Sequence, residues 1–135
     1  MKLAFIGLGA IGKPMSERLI DNGYDLNLFK RDKLTNDDQK KYFVDPEEAA
    51  KDCDGLLICV TDDTAVESVL FGDNGVADSL KPNSFVIDFS TISPTKSISI
   101  HKELSKKNIL YVDCPARRSL RGRCLLPGST EFGAS

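Results

Sequence analysis

The chain begins MKLAFIGLGAIGKPM. A short apolar run, Leu3 to Ile6, leads directly into Gly7-Leu8-Gly9-Ala10-Ile11-Gly12. Glycines at this spacing, after a strand-like run and before helix-forming residues, constrain the fold more than any other feature. Gly7 permits a tight turn, and Gly9, with no Cβ, lets a pyrophosphate approach the main chain. Gly12 lets the following helix pack closely on the strand. The helix start adds free N–H groups and a partial positive charge. The pattern points to dinucleotide binding at the head of a βαβ unit, with Gly7, Leu8, Gly9, Ala10, Ile11 and Gly12 as the phosphate loop. The competing reading, a purely structural Gly-rich turn, accounts less well for its place between strand and helix.

Strand and helix patterns alternate downstream. Lys13 to Asn22 predicts a helix, with Pro14 in its first turn, an apolar face of Met15, Leu19 and Ile20, and a stop at Asn22-Gly23. Asp25 to Phe29 alternates polar and apolar residues, as a second strand should. Lys33 to Lys41 is polar and weakly patterned, a short helix at most, and Tyr42-Phe43-Val44 reads as a brief third strand. Asp45-Pro46-Glu47-Glu48 is a helix start running to about Asp52. Gly55 to Val60 is a continuous apolar run suited to a strand buried on both faces. Asp63 to Leu70 follows as a helix, Phe71 to Gly75 as a turn and Ser84 to Phe89 as a strand. A helix from Ser93-Pro94 to about Asn108 and a strand from Ile109 to Val112 complete the series. Repeated β-α-β units with short loops predict an α/β fold, a doubly wound parallel sheet of Rossmann type in one domain.

That domain is expected to occupy residues 1–116. Beyond it, Arg117 to Arg123 carries four arginines in seven residues, and the remainder lacks periodicity. Residues 117–135 are read as an irregular tail. A basic interaction tail is one alternative. The preferred one is a non-native terminus from an altered reading frame or translated cloning site, which Gly128-Ser129-Thr130-Glu131-Phe132 resembles.

At 135 residues the chain is long enough for one core, and its net charge of −2 points to no nucleic-acid or anionic-membrane surface. No apolar run approaches the ~20 residues of a membrane span. Met1-Lys2 leads straight into a strand with no room for a leader, so a cytoplasmic location is expected. Cys53, Cys59, Cys114 and Cys124 have no C-x-x-C spacing and no nearby His, which disfavours zinc and favours small buried thiols. His101 falls in a polar helix and is expected at the surface. Of the paired acids, Asp62-Asp63 is expected to cap a helix and Asp37-Asp38 to be solvated.

The coenzyme is chosen where the second strand ends, about 20 residues beyond the glycines. Lys30 and Arg31 stand there. Two cations suit a 2′-phosphate, with Arg31 able to bond it through both arms of its guanidinium. NADP is therefore expected, with NAD possible if Asp32 turns inward.

Several segments together resemble the N-terminal coenzyme domain of the β-hydroxyacid dehydrogenases, the family of 3-hydroxyisobutyrate dehydrogenase, tartronate semialdehyde reductase and glyoxylate/succinic semialdehyde reductase. They are Phe5-Ile6-Gly7-Leu8-Gly9-Ala10-Ile11-Gly12-Lys13-Pro14-Met15, Asp73-Asn74-Gly75-Val76, Ile87-Asp88-Phe89-Ser90-Thr91-Ile92-Ser93-Pro94 and Tyr111-Val112-Asp113-Cys114-Pro115. The resemblance implies that Val60, Thr61 and Ala65 touch the coenzyme and that Thr91 lies near the nicotinamide. A purely local reading makes Ser90, Thr91 and Ser93 caps before Pro94. The family's NADP-preferring members carry Asn-Arg-Thr where Lys30-Arg31-Asp32 stands, in keeping with the charge argument at Arg31.

The chain departs from the family after Pro115, where Ala116-Arg117-Arg118-Ser119 replaces the V-S-G-G that holds substrate. The family's catalytic lysine belongs to a following all-helical domain, for which this sequence has no counterpart. Lys81, Lys96, Lys102, Lys106 and Lys107 read as loop or solvated helix positions, and no residue is assigned a catalytic role. The expected chain is thus a truncated coenzyme-binding half, inactive alone. It would meet a small hydroxyacid or aldehyde only if a second domain is supplied, and its apolar surface left bare would favour self-association. The alternatives are a stand-alone NAD(P)-binding or sensing module without catalysis, and an interaction domain that no longer binds coenzyme. The three glycines argue against the last. 6-Phosphogluconate dehydrogenase shares this N-terminal style, so its substrate stays open.

Overall fold

A computed structural model describes residues 1–29, 41–43, 45–73, 75–115, 117–118 and 124–125. The chain runs β1 (Lys2–Ile6), α1 (Gly12–Asp21), β2 (Asp25–Phe29), β3 (Lys41–Phe43), α2 (Pro46–Ala50), β4 (Gly55–Ile58), α3 (Asp63–Phe71), β5 (Phe85–Asp88), α4 (Pro94–Ser105) and β6 (Leu110–Asp113). The six strands form one sheet in the order β3-β2-β1-β4-β5-β6, and every neighbouring pair is parallel. This is the Rossmann order. Its switch point lies between β1 and β4, where the chain leaves one half of the sheet and starts the other.

Alternation along the strands divides the core into two layers. Ala4, Ile6, Leu56, Ile58, Val86 and Tyr111 face one side and pack with Ala50, Val66, Leu70, Ile100 and Leu104 of α2, α3 and α4. Leu3, Phe5, Leu26, Leu28 and Leu57 face the other, where Met15, Leu19 and Ile20 of α1 lie against them. Each fully buried large side chain contributes about 1.5–3 kcal/mol. Gly12 and Ser16 are the buried residues of α1, so the helix settles on the sheet through its small positions. Pro46 and Pro94 open α2 and α4 behind side-chain caps from Asp45 and Ser93, and Asp62 caps α3.

In β2, Asn27 is buried, because helices cover both faces there, and its Nδ2 donates to the Ala49 carbonyl at 3.0 Å. Two expectations change. Of the cysteines, Cys53 is buried but Cys59 and Cys114 are half-exposed at strand ends, and these three form no disulfide. The segment read as irregular holds a separate two-residue ladder, β7 (Arg117–Arg118) antiparallel to β8 (Cys124–Leu125). Strands so short leave no periodicity to read. The short helix proposed within 33–41 falls on residues 33–40 outside the described set and on Lys41, which belongs to β3. Val44, Asp37-Asp38 and most of the tail also lie outside the described residues.

Candidate coenzyme cleft

The carboxyl ends of β1, β4 and β5 open onto a cleft of about 650 Å³. Gly7 to Gly12 form one wall, Cys59-Val60-Thr61 the next, and Phe89-Ser90-Thr91 the third. Ile6 at the end of β1, Phe29 at the end of β2, and Ala65, Ser68 and Val69 of α3 complete the lining. The structure therefore brings Gly7, Leu8, Gly9, Ala10, Ile11, Gly12, Val60, Thr61, Ala65 and Thr91 together around one space. Lys30 and Arg31 lie outside the described residues.

The three glycines answer to different neighbours. Gly7 has φ +105°, and a Cβ there would stand 2.0 Å from the Cys59 carbonyl oxygen. A Cβ on Gly12 would stand 1.8 Å from the Gly7 carbonyl oxygen and 3.1 Å from the Phe5 ring. A Cβ on Gly9 would meet nothing within 4 Å, so no neighbour in the protein requires a glycine there. Its bare main chain fronts the cleft.

The start of α1 is the second feature of the wall. Its N-cap position is Ile11, with no side-chain cap and no acid in the first turn. The three other described helices all have a side-chain cap at this end. The Lys13 N–H already donates to the Gly9 carbonyl at 3.0 Å and Pro14 has no N–H, so what this end offers an anion is chiefly the partial positive charge of an uncapped helix start, about half a unit.

The opposite walls are held by hydrogen bonds. The Val60 N–H donates to Ser90 Oγ at 2.9 Å, and the Ser90 N–H donates to Asp88 Oδ1 at 2.9 Å. The other oxygen of Asp88 accepts from Tyr111 Oη at 2.7 Å. Asp88 is fully buried, and burial pushes its carboxyl above the ordinary carboxylate value despite these donors. Burial and the bond to Asp88 likewise push the Tyr111 hydroxyl up, which keeps it a proton donor. Ser93 caps α4 by accepting from the Lys96 N–H at 3.3 Å, and it also donates to Asp63. Those bonds from the Ser93 N–H and hydroxyl hold the Asp63 carboxyl below its usual range.

Ser90 is thus not a local cap, because its partner lies thirty residues away. Asp88, Tyr111, Phe29, Cys59 and Phe89 escaped the sequence reading as site residues. The available signal was position: each of the last three ends or follows a strand, where ligands bind in open α/β sheets. No Asp, Glu, His, Lys or Arg lines the cleft among the described residues. The described residues contain no cluster of three metal-ligating side chains, and no helix long and apolar enough to cross a membrane.

Comparison with known proteins gives concordant findings. Residues 2–122 match the family described as the NAD binding domain of 6-phosphogluconate dehydrogenase. The match runs past Ala116 into the arginine run. The 3-sulfolactaldehyde reductase of Escherichia coli (strain K12) is 33% identical over 125 residues, covering 87% of this chain and 41% of that protein. The chain thus spans about two-fifths of the length of this curated relative. The crystal structure of 3-hydroxyisobutyrate dehydrogenase from Salmonella typhimurium superposes with a TM-score of 0.83 at 24% identity, covering 93% of this chain and 47% of that one. The imine reductase from Myxococcus stipitatus in complex with NADP+ superposes with a TM-score of 0.80 at 19% identity, covering 93% of this chain and 46% of that one.

Proposed function

This chain belongs to the family of the NAD binding domain of 6-phosphogluconate dehydrogenase, and on that footing we propose that it is the NADP(H)-binding part of a β-hydroxyacid dehydrogenase or semialdehyde reductase. Gly9 is the observation that carries this reading. Nothing inside the protein needs a glycine there, yet its missing Cβ leaves main chain bare beside an uncapped helix start. That cradle fits a pyrophosphate.

In this reading Gly7 to Gly12 hold the two phosphates, and Val60, Thr61, Ala65 and Thr91 line the remainder of the coenzyme. Lys30 and Arg31 take the 2′-phosphate on the strength of charge and spacing, and NAD is the alternative coenzyme if Asp32 serves the ribose instead. When bound, the nicotinamide supplies hydride transfer between a small hydroxyacid and its aldehyde or keto form. The chain's own contribution is to bind, to orient and to exclude water. The cleft's described lining offers only hydroxyls and the Cys59 thiol as side-chain proton donors, so the group that protonates the substrate oxygen is assigned to a part of the enzyme outside this lining. The same lining fits a second reading, a binding or sensing module without catalysis.

Reduced-nicotinamide fluorescence tests the proposal. The chain is expected to alter NADPH emission on binding, without consuming NADPH when glyoxylate or succinic semialdehyde is added. Turnover by the chain alone would contradict the placement of the proton donor elsewhere.

A further inference from the structure

Two side chains tie the loop after β4 to the loop after β5. Ser90 Oγ accepts the Val60 N–H at 2.9 Å. The Asp63 carboxylate accepts the Ser93 N–H at 2.9 Å and the Ser93 hydroxyl at 2.8 Å. These ties bracket Thr61 on one loop and Thr91 on the other, both exposed on the cleft wall. The capping of α3 explains neither tie, since Asp62 already accepts the Ala65 N–H at 2.9 Å. Ser90 is itself anchored from below by buried Asp88. Each loop therefore has its position set by the other.

The sheet order gives the pair its place. β4 and β5 lie on the opposite side of β1 from β2, whose end the dinucleotide reading gives to the adenosine half. A dinucleotide laid across the crevice, phosphates at α1, puts its nicotinamide half over the β4 and β5 ends. We propose that Ser90 and Asp63 are positioning residues that lock these two loops into one ledge for the nicotinamide half of a dinucleotide. The proposal rests on the dinucleotide reading above.

The test is titration of the full chain with NADPH or NADH, whichever binds tighter, and with the matching ADP-ribose, which keeps the adenosine and both bridging phosphates but has no nicotinamide. Ser90→Ala is expected to weaken the dinucleotide about tenfold and the ADP-ribose less than about twofold. Ser90→Thr keeps the hydroxyl and is expected to restore binding. Asp63→Ala should repeat the selective loss from an accessible site, which keeps the test available if Ser90→Ala does not fold. Asp63→Asn retains an acceptor for the Ser93 N–H and should fall between. Lys96→Ala, which removes the outer pair with Glu67 and only the smallest of the influences on the Asp63 carboxylate, should leave both ligands unaffected. Equal loss of both ligands, or loss of neither, overturns the positioning role. Failure of the unmodified chain to bind either ligand overturns the dinucleotide reading itself, and this inference with it.

Discussion

A methyl group at Gly7 would collide with the Cys59 carbonyl in a backbone conformation that L side chains rarely adopt, whereas one at Gly9 would touch nothing. Opposite outcomes follow. Gly7→Ala is expected to lower stability by at least about 2 kcal/mol, through strain and overlap. Gly9→Ala should leave stability within about 1 kcal/mol, with any gain coming from a less flexible unfolded chain, while dinucleotide affinity falls about tenfold or more. Denaturant unfolding and a coenzyme titration on the two variants read both effects. Asp88 supplies a pH signature. Its folded-state pKa lies above the ordinary 3.8, so between those two values the native state holds a proton the unfolded chain has released. The stability this group contributes is present below 3.8 and is lost as pH rises through the window. Asp63, held below 3.8, acts in the opposite sense: its contribution is present above that value and is lost as pH falls through its lowered pKa. The stability of the protein relative to Asp88→Asn should therefore decline as pH is raised from about 4 and then level off. A difference that stays flat or grows in urea melts would contradict the burial account.

The uncapped start of α1 gives the sharpest element-scale contrast, because what suits an isolated helix there opposes what suits a ligand. Ala10→Asp places a carboxylate beside the helix N-terminus, and that should change stability by no more than about 1 kcal/mol. The same charge stands where phosphates are proposed to bind and should sharply weaken coenzyme binding, with partial recovery in high salt. At the start of β5, the buried Ser84 hydroxyl has no hydrogen-bond partner among the described residues. Ser84→Ala should raise the melting temperature by about 3–5 °C. Most elements were legible in the sequence because their signals are local: Asp45-Pro46 and Ser93-Pro94 open helices, and Gly55 to Ile58 is apolar throughout. The glycine-loop wall was legible for the same reason. The exceptions share a cause. The burial of Asn27 is not legible because alternation along a strand does not show whether a second layer covers it. Ser90 looked like a cap because its partner, Val60, falls outside any local window.

Over the whole molecule, the layer of helices is uneven. α1 covers the sheet around β1 and β2, but on the same face Leu110 and Val112 of β6 are 59% and 39% exposed beside half-buried Phe85 and Ile87. An apolar face on an edge strand favours association. The chain is expected to show concentration-dependent self-association in light scattering, reduced by Val112→Lys; monomeric behaviour at high concentration would contradict this. Residues 2–122 match a coenzyme-domain family while the chain spans 41% of the 3-sulfolactaldehyde reductase, so binding rather than turnover is the property to measure on this chain. The decisive measurement is calorimetric titration with NADPH and NADH side by side, with an Arg31→Ala variant. NADPH is expected to bind more tightly, and Arg31→Ala to lose that preference. Binding of neither coenzyme would overturn the assignment of a dinucleotide to this cleft.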